Sequence, residues 1–188
     1  KAFDVGIELF VLDDGWFGER ENDCAGLGDW HVNPKRLPRG IGSLSEKIRS
    51  FGMKFGLWFE PEMVNKDSEL YRTHPNWIIS TPNRKPNHGR NQYVLNFGLD
   101  EVVENIFDQM CKNIDESNLD YIKGDMNRPL TDVFDSHLSA DQQGEVFHRY
   151  VLGVYRLYEK LITKYPNILF ESCSSGGGRF DPGMLYYA

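Results

Sequence analysis

Four short apolar runs recur along the chain, and each leads directly into acidic, polar or glycine-rich residues. Segments in which apolar residues follow helical spacing lie between them. Strands that alternate with helices in this way form a parallel sheet joined by helical crossovers, so the pattern predicts an α/β fold. The apolar runs cover residues 5–12, 55–59, 121–122 and 168–170.

Periodicity and capping signals locate the helices. Apolar residues recur at helical spacing over residues 102–114 and 147–165, which predicts two long amphipathic helices. Ser43 and Glu46 have the spacing of a capping box. They predict a helix that begins there and ends at Gly52.

The position of the polar residues bears on the choice between two parallel architectures. Polar clusters at the carboxyl end of every strand are typical of a (β/α)8 TIM barrel. A doubly wound open sheet is the alternative, although no glycine-rich phosphate loop follows the first strand. Four βα units make about half of such a barrel. The prediction is therefore a partial (β/α)8 barrel in which residues 1–188 form part of one domain.

Charge and composition argue against several classes of partner. The chain has a formal net charge of −7 and no lysine- or arginine-rich block, so nucleic acid and anionic membranes are poor partners. No apolar run reaches the roughly 18 residues of a transmembrane helix. The three cysteines are odd in number and lack metal-type spacing, which fits a reducing compartment better than a disulfide framework.

The third apolar run ends in a cluster of charged and polar residues. Lys123, Asp125 and Asn127 alternate along the chain, so in a strand they face the same side. A lysine favours the ionised form of a neighbouring carboxylate, and an ionised, positioned carboxylate suits nucleophilic attack on a sugar carbon. A strand-end salt bridge explains the same residues without any catalysis.

Polar and aromatic residues also follow the first two strands. The adjacent carboxylates of Asp13 and Asp14 suit a pair of sugar hydroxyls, and an Asp-Gly turn is the simpler interpretation. Trp58 suits either stacking on a pyranose ring or packing in the core. Glu60 and Glu62 follow it, and we expect them to support the rim of the site or bind backbone groups.

Two loops complete the set of candidate residues. Arg90 lies in the loop-like residues 73–92, and its planar fork suits a hydroxyl pair or a carboxylate, although a lone loop arginine is usually a surface residue. Cys173 and Gly176 lie in a serine- and glycine-rich segment after the fourth strand, where glycine permits close approach of a ligand. The segment lacks the Gly-Lys-Ser/Thr of a P-loop. Cys173 has no neighbouring histidine to activate it, which disfavours a thiol nucleophile.

Seven motifs in order resemble those of the family 36 glycoside hydrolases, the microbial α-galactosidases. They are LDDGWFG, GLGDW, FGLWFEPEMV, HPNW, RNQYVLN, YIKGDMNR and ESCSSGGGRFDPG. The resemblance implies strands two to five of a (β/α)8 catalytic barrel, whose other strands and flanking β-sandwich and β domains lie outside this chain. It also implies a galactoside substrate such as melibiose or raffinose, no metal or organic cofactor, a tetrameric full-length enzyme and a bacterial cytoplasmic location.

The resemblance also assigns a role to each matching residue. Asp125 matches the nucleophile, and Lys123 and Asn127 match the flanking residues that contact galactose. Asp13 and Asp14 match the carboxylate pair that binds the O4 and O6 hydroxyls.

The other matching residues surround the sugar. Trp58 matches the aromatic wall of the subsite, and Arg90 matches an arginine near O3. Cys173 and Gly176 match residues near O2.

Three departures from the family pattern qualify this interpretation. Gly124 stands where the family usually has tryptophan, and Asn96 stands where aspartate is frequent. The family's acid/base aspartate is expected beyond Ala188, so the isolated chain is predicted to be inactive. Two alternatives stay open: a galactosyltransferase of the raffinose or stachyose synthase type, and a degenerate galactoside-binding protein without catalysis.

Overall fold

The structure is a computed structural model that describes residues 1–175 and 178–188. These residues form six strands and five α-helices. The strands are β1 (Leu9–Leu12), β2 (Lys54–Phe59), β3 (Met63–Asn65), β4 (Gln92–Val94), β5 (Tyr121–Gly124) and β6 (Leu169–Ser172). The helices are α1 (Gly40–Arg49), α2 (Glu69–Thr73), α3 (Asp100–Ser117), α4 (Val146–Lys164) and α5 (Pro182–Tyr187), with short 3-10 turns at Phe3–Val5, Pro75–Trp77 and Ala140–Glu145.

Four strands form one parallel sheet in the order β1-β2-β5-β6. The register pairs Leu12 with Leu57, Trp58 with Lys123, and Gly124 with Ser172. The prediction of an α/β fold with a parallel sheet is confirmed. Because the described strands are added consecutively, with no reversal of direction in the sheet, this order lacks the switch point of a doubly wound fold.

The long helices form one layer beside the sheet. α1 contacts α3, α3 contacts α4, and α4 contacts α5, so the helices follow one another in the same order as the strands. The buried residues of α3 include Val102, Ile106, Met110 and Ile114, which follow the helical spacing seen in the sequence. None of the helices in the described part of the chain is both long and apolar enough to cross a bilayer.

Two predicted boundaries are wrong. β1 begins at Leu9 rather than at residue 5, because Gly6 adopts a left-handed conformation (φ 83°) that ends the preceding 3-10 turn. α1 begins at Gly40, so Ser43 lies inside the helix and does not cap it. Ile41 is fully buried, and its packing explains why the helix extends upstream of the capping-box pattern.

The segment between β2 and α3 is less irregular than its composition suggests. β3 and β4 form an antiparallel pair that aligns Met63 with Val94, and an isolated bridge joins Ile78 to Leu95. Trp77 is largely buried, and its carbonyl accepts a hydrogen bond from the Asn96 N–H, just after β4, at 2.6 Å. The pairing holds the loop that carries Arg90 close to the carboxyl edge of β2.

Candidate active site

Asp125 lies directly after β5, where hydrogen bonds hold both its backbone and its carboxylate. Its backbone N–H donates to the Phe59 carbonyl at 2.8 Å, which extends the strand pairing by one residue. Its Oδ2 accepts from Trp58 Nε1 at 3.0 Å and from Asn127 Nδ2 at 2.8 Å, and its Oδ1 accepts from the Met126 N–H at 2.8 Å. The residue is only 6% exposed. A buried carboxylate with donors on both oxygens has a fixed orientation.

Trp58 is a core residue that also reaches into the site. It is 3% exposed, and its ring lies 6.1 Å from the rings of Phe17 and Trp30. Trp16 Nε1 donates to its carbonyl at 3.0 Å. The indole therefore packs in the interior while its N–H points at Asp125.

Lys123 pairs with Asp13 across the sheet, with Nζ 3.5 Å from Oδ2. Its ion-pair partner is the carboxylate at the end of β1, and the charge of Asp125 also acts on it. Burial lowers the pKa of Lys123, but electrostatic interactions, of which that with Asp13 is the largest, outweigh it and leave the pKa raised. The lysine is therefore a cation that joins the β1 and β5 ends of the site.

Asp14 is paired with an arginine that the sequence did not single out. Arg20 donates from Nε to Asp14 Oδ1 at 2.8 Å and from Nη2 to Oδ2 at 2.7 Å. Arg20 is 6% exposed, whereas Asp14 is 43% exposed. Because Glu19 and Glu21 flank Arg20, the sequence pattern resembles an exposed run of charged residues.

The segment after β6 lies against the residues around Asp125. The Cys173 N–H donates to the Gly124 carbonyl at 2.8 Å, and Ser175 Oγ donates to Asn127 Oδ1 at 2.8 Å. Burial, followed by the charge of Asp125 and a hydrogen bond to it, raises the pKa of the Cys173 thiol, which opposes a nucleophilic role. Gly176 lies outside the described residues.

Glu60 and Glu62 are buried carboxyl groups whose oxygens are engaged by the protein. Glu60 accepts from the Asn127 N–H at 2.6 Å and from Gln92 Nε2 at 3.1 Å. Glu62 accepts from the Tyr150 hydroxyl and from Arg179 Nη1. Burial raises the pKa of Glu60 to about 7. The expectation that Glu60 binds a backbone group is met by its contact with Asn127.

Arg90 is exposed and adopts a left-handed conformation with φ 52°. It lies close enough to Glu60 for its charge to oppose the rise in the pKa of that carboxyl, which burial dominates. Arg90 therefore faces the same end of the sheet as Asp125, on the side of β4.

The packing around Gly124 leaves no room for a Cβ atom unless Tyr158 shifts. A Cβ atom at this position would lie 2.1 Å from the hydroxyl oxygen of Tyr158 on α4. Tyr158 is 2% exposed, so it fills the space beneath β5 that a larger residue at position 124 would need.

A parallel α/β sheet with carboxylates and a tryptophan N–H at its carboxyl edge is a scaffold that suits glycoside hydrolysis. The sequence matches the Melibiase family over residues 1–188, and the chain belongs to that family. The resemblance to the family 36 α-galactosidases is thereby confirmed.

Curated and solved relatives agree with this assignment. The chain is 57% identical to α-galactosidase Mel36A of Lactobacillus acidophilus, covering 100% of this chain and 26% of that protein. It superimposes on the crystal structure of the Lactobacillus brevis α-galactosidase with a TM-score of 0.97 at 57% identity, covering 100% of this chain and 25% of that one. A variant of α-galactosidase AgaA from Geobacillus stearothermophilus, solved in complex with raffinose, gives a TM-score of 0.96 at 49% identity, covering 99% and 26%. The chain thus spans about a quarter of the length of these relatives.

Proposed function

We propose that this chain is part of the catalytic domain of a retaining α-galactosidase that releases terminal α-linked galactose from oligosaccharides such as melibiose or raffinose. The observation that carries the proposal is the Asp125 carboxylate, buried at the carboxyl edge of the sheet and oriented by donors on both oxygens. The α-galactosidase names of the relatives and the raffinose complex of one of them support the substrate class.

The parallel sheet is proposed to belong to a (β/α)8 barrel, as its strands two to five. The consecutive strand order and the single layer of helices support this arrangement. The remaining strands and the flanking β domains would lie in other parts of a longer protein, here called the full-length enzyme. The tetrameric assembly and the cytoplasmic location stay predictions of the family resemblance.

Asp125 is proposed to attack the anomeric carbon and form a covalent glycosyl-enzyme, with net retention after hydrolysis. Trp58 and Asn127 both donate to Oδ2, so the carboxylate cannot rotate out of line. The same donors can stabilise the carboxylate as it leaves when water cleaves the intermediate.

The general acid/base is proposed to lie in a part of the full-length enzyme outside this chain. Retention needs a second carboxyl group about 5–5.5 Å from the first. Glu60 and Glu62 are buried carboxyl groups that follow β2, and their oxygens accept hydrogen bonds from protein groups. Without the acid/base the isolated chain is expected to lose about 10²–10⁴ in rate, in addition to the effect of an incomplete barrel.

The remaining site residues are proposed to bind the sugar. Asp13 and Asp14 would accept hydrogen bonds from the O4 and O6 hydroxyls, since their side chains are 63% and 43% exposed. Lys123, Asn127 and Arg90 would donate to ring hydroxyls. Cys173 and Gly176 would lie near O2, and Trp58 would form the wall of the subsite.

The test is the Asp125→Ala variant of the full-length enzyme. Turnover and trapping by a fluorosugar should both be lost, and azide should restore formation of a β-galactosyl azide from an activated α-galactoside by occupying the space of the carboxylate. Asp108→Ala, an exposed position on α3, is the matched control and should keep normal rates. Near-normal turnover by Asp125→Ala, or labelling of another residue by the fluorosugar, contradicts the proposal.

A further inference from the structure

Arg20 is a buried cation that no predicted role accounts for. It grips both oxygens of Asp14, with Nε–Oδ1 at 2.8 Å and Nη2–Oδ2 at 2.7 Å. A guanidinium fork on a carboxylate fixes both the position and the plane of the acid. Asp14 nevertheless remains 43% exposed, so its solvent side is free to accept hydroxyl groups.

Arg20 is itself fixed by groups that are distant in sequence. Its Nη1 donates to the Ala25 carbonyl at 2.9 Å and to Asn65 Oδ1 at 3.2 Å. Asn65 is fully buried at the end of β3, and its Oδ1 also accepts from the Leu27 N–H at 2.8 Å. The arginine therefore has one well-defined orientation, and its two hydrogen bonds to Asp14 fix the orientation of that carboxylate.

Asn65 also supports the opposite side of the site. Its Nδ2 donates to the Asn91 carbonyl at 2.8 Å and to the Asp23 carbonyl at 3.2 Å. Asn91 follows Arg90, and both residues have left-handed backbones, with φ 59° and 52°. One buried amide thus ties the segment that holds Asp14 to the segment that holds Arg90.

We propose that Arg20 is a positioning residue that, held by Asn65, orients Asp14 toward the galactose hydroxyls and so sets galactoside affinity. The inference rests on the proposed function, because it presupposes that Asp14 binds substrate. Contacts to hydroxyls remote from the anomeric carbon persist from the bound substrate to the transition state, so their loss raises KM more than it lowers kcat.

The first measurement compares Arg20→Lys with the unmodified full-length enzyme. Lysine keeps the positive charge but cannot form the two-pronged contact, so kcat/KM should fall about 10- to 100-fold, mainly through KM. Arg72→Lys is the matched control, since Arg72 is an exposed arginine that pairs with Asp67 and Glu69. It should leave both constants unchanged.

The second measurement asks whether Arg20 acts through Asp14. In an Asp14→Asn background, Arg20→Lys should change kcat/KM by less than about threefold, because the contact it perturbs is already altered. An equal loss in both backgrounds, or no loss in the single variant, overturns the proposal. If thermal unfolding shows that the Arg20→Lys variant is not folded, the Arg20→Gln variant, which keeps a planar amide donor, is measured in the same cycle. Failure of the proposed function is a separate result, since it appears as missing galactosidase activity in the unmodified enzyme.

Discussion

Glu60 offers a quantitative test of the electrostatics of the site, through its replacement by glutamine. The side chain is 1% exposed. Burial raises its pKa from 4.5 to about 7 against the opposing hydrogen bonds from Asn127, and the charge of Asp125 adds to the rise while that of Arg90 reduces it. At pH 6 the folded protein therefore holds this carboxyl mostly protonated.

The rise in pKa makes the stability of this region depend on pH. Between about pH 4.5 and 7 the folded state keeps a proton on Glu60 that the unfolded state releases. The free energy of unfolding therefore falls as pH increases through that window and is not lowered further above it. At about 1.4 kcal/mol per pH unit, the free energy of unfolding should fall by about 3 kcal/mol across this interval.

Glutamine removes this pH dependence while preserving the local contacts. Gln92 Nε2 donates to Glu60, whereas Gln92 Oε1 is buried and has no hydrogen-bond partner among the described residues. A protonated Glu60 can donate to that oxygen once the Gln92 amide rotates, and the amide of Glu60→Gln can do the same. The neutral variant therefore mimics the protonated acid.

Amide hydrogen exchange of the β2 and β5 peptides, at matched pH, reports the local opening free energy in the full-length enzyme. The advantage of Glu60→Gln over the parent should grow by about 3 kcal/mol between pH 4.5 and 8. Glu46→Gln, an exposed position on α1, controls for the same chemical change. A parent–variant difference that stays constant with pH refutes the argument. A rate loss of about 10²–10⁴ with substrates of poor leaving group would instead identify Glu60 as the general acid.

Two further substitutions test contacts around Asp125, the proposed nucleophile. Gly124→Ala places a Cβ where the Tyr158 hydroxyl lies and should destabilise the enzyme by about 1–3 kcal/mol. In a thermal-unfolding cycle, adding Tyr158→Phe should restore most of the lost stability. Strictly additive effects of the two substitutions would contradict the contact. Trp58→Phe removes the N–H that donates to Asp125 Oδ2 and should lower kcat/KM about tenfold, with an unchanged value showing that the donor does not matter.

Local patterns in the sequence predicted the features that depend on neighbouring residues. The parallel sheet followed from apolar runs that alternate with helical segments. Asp125 and Asn127 were expected on one side of the strand end, and the amide of Asn127 does donate to Asp125 at 2.8 Å. Both results need only strand and helix periodicity and the fact that the carboxyl ends of parallel strands share one edge.

Features that depend on residues far apart in sequence were missed. Arg20 looks like part of an exposed charge run, and it is buried because Asn65, 45 positions away, accepts its hydrogen bond. β3 and β4 have three residues each, so neither carries a periodic signal without its partner. The sequence did not predict the ion pair between Lys123 and Asp13, because it depends on β1 and β5 reaching the same edge of the sheet.

The distribution of cations around the carboxylates bears on the different tasks that we propose for them. Asp13 is paired with Lys123, and Asp14 with Arg20, whereas the hydrogen bonds to the Asp125 side chain come from uncharged groups within the described residues. A direct cation would cancel the charge that must stabilise a positive, oxocarbenium-like transition state. Neutral donors orient the carboxylate without that loss, so this pattern agrees with the proposed roles of Asp125 as the nucleophile and of the paired carboxylates as hydroxyl acceptors.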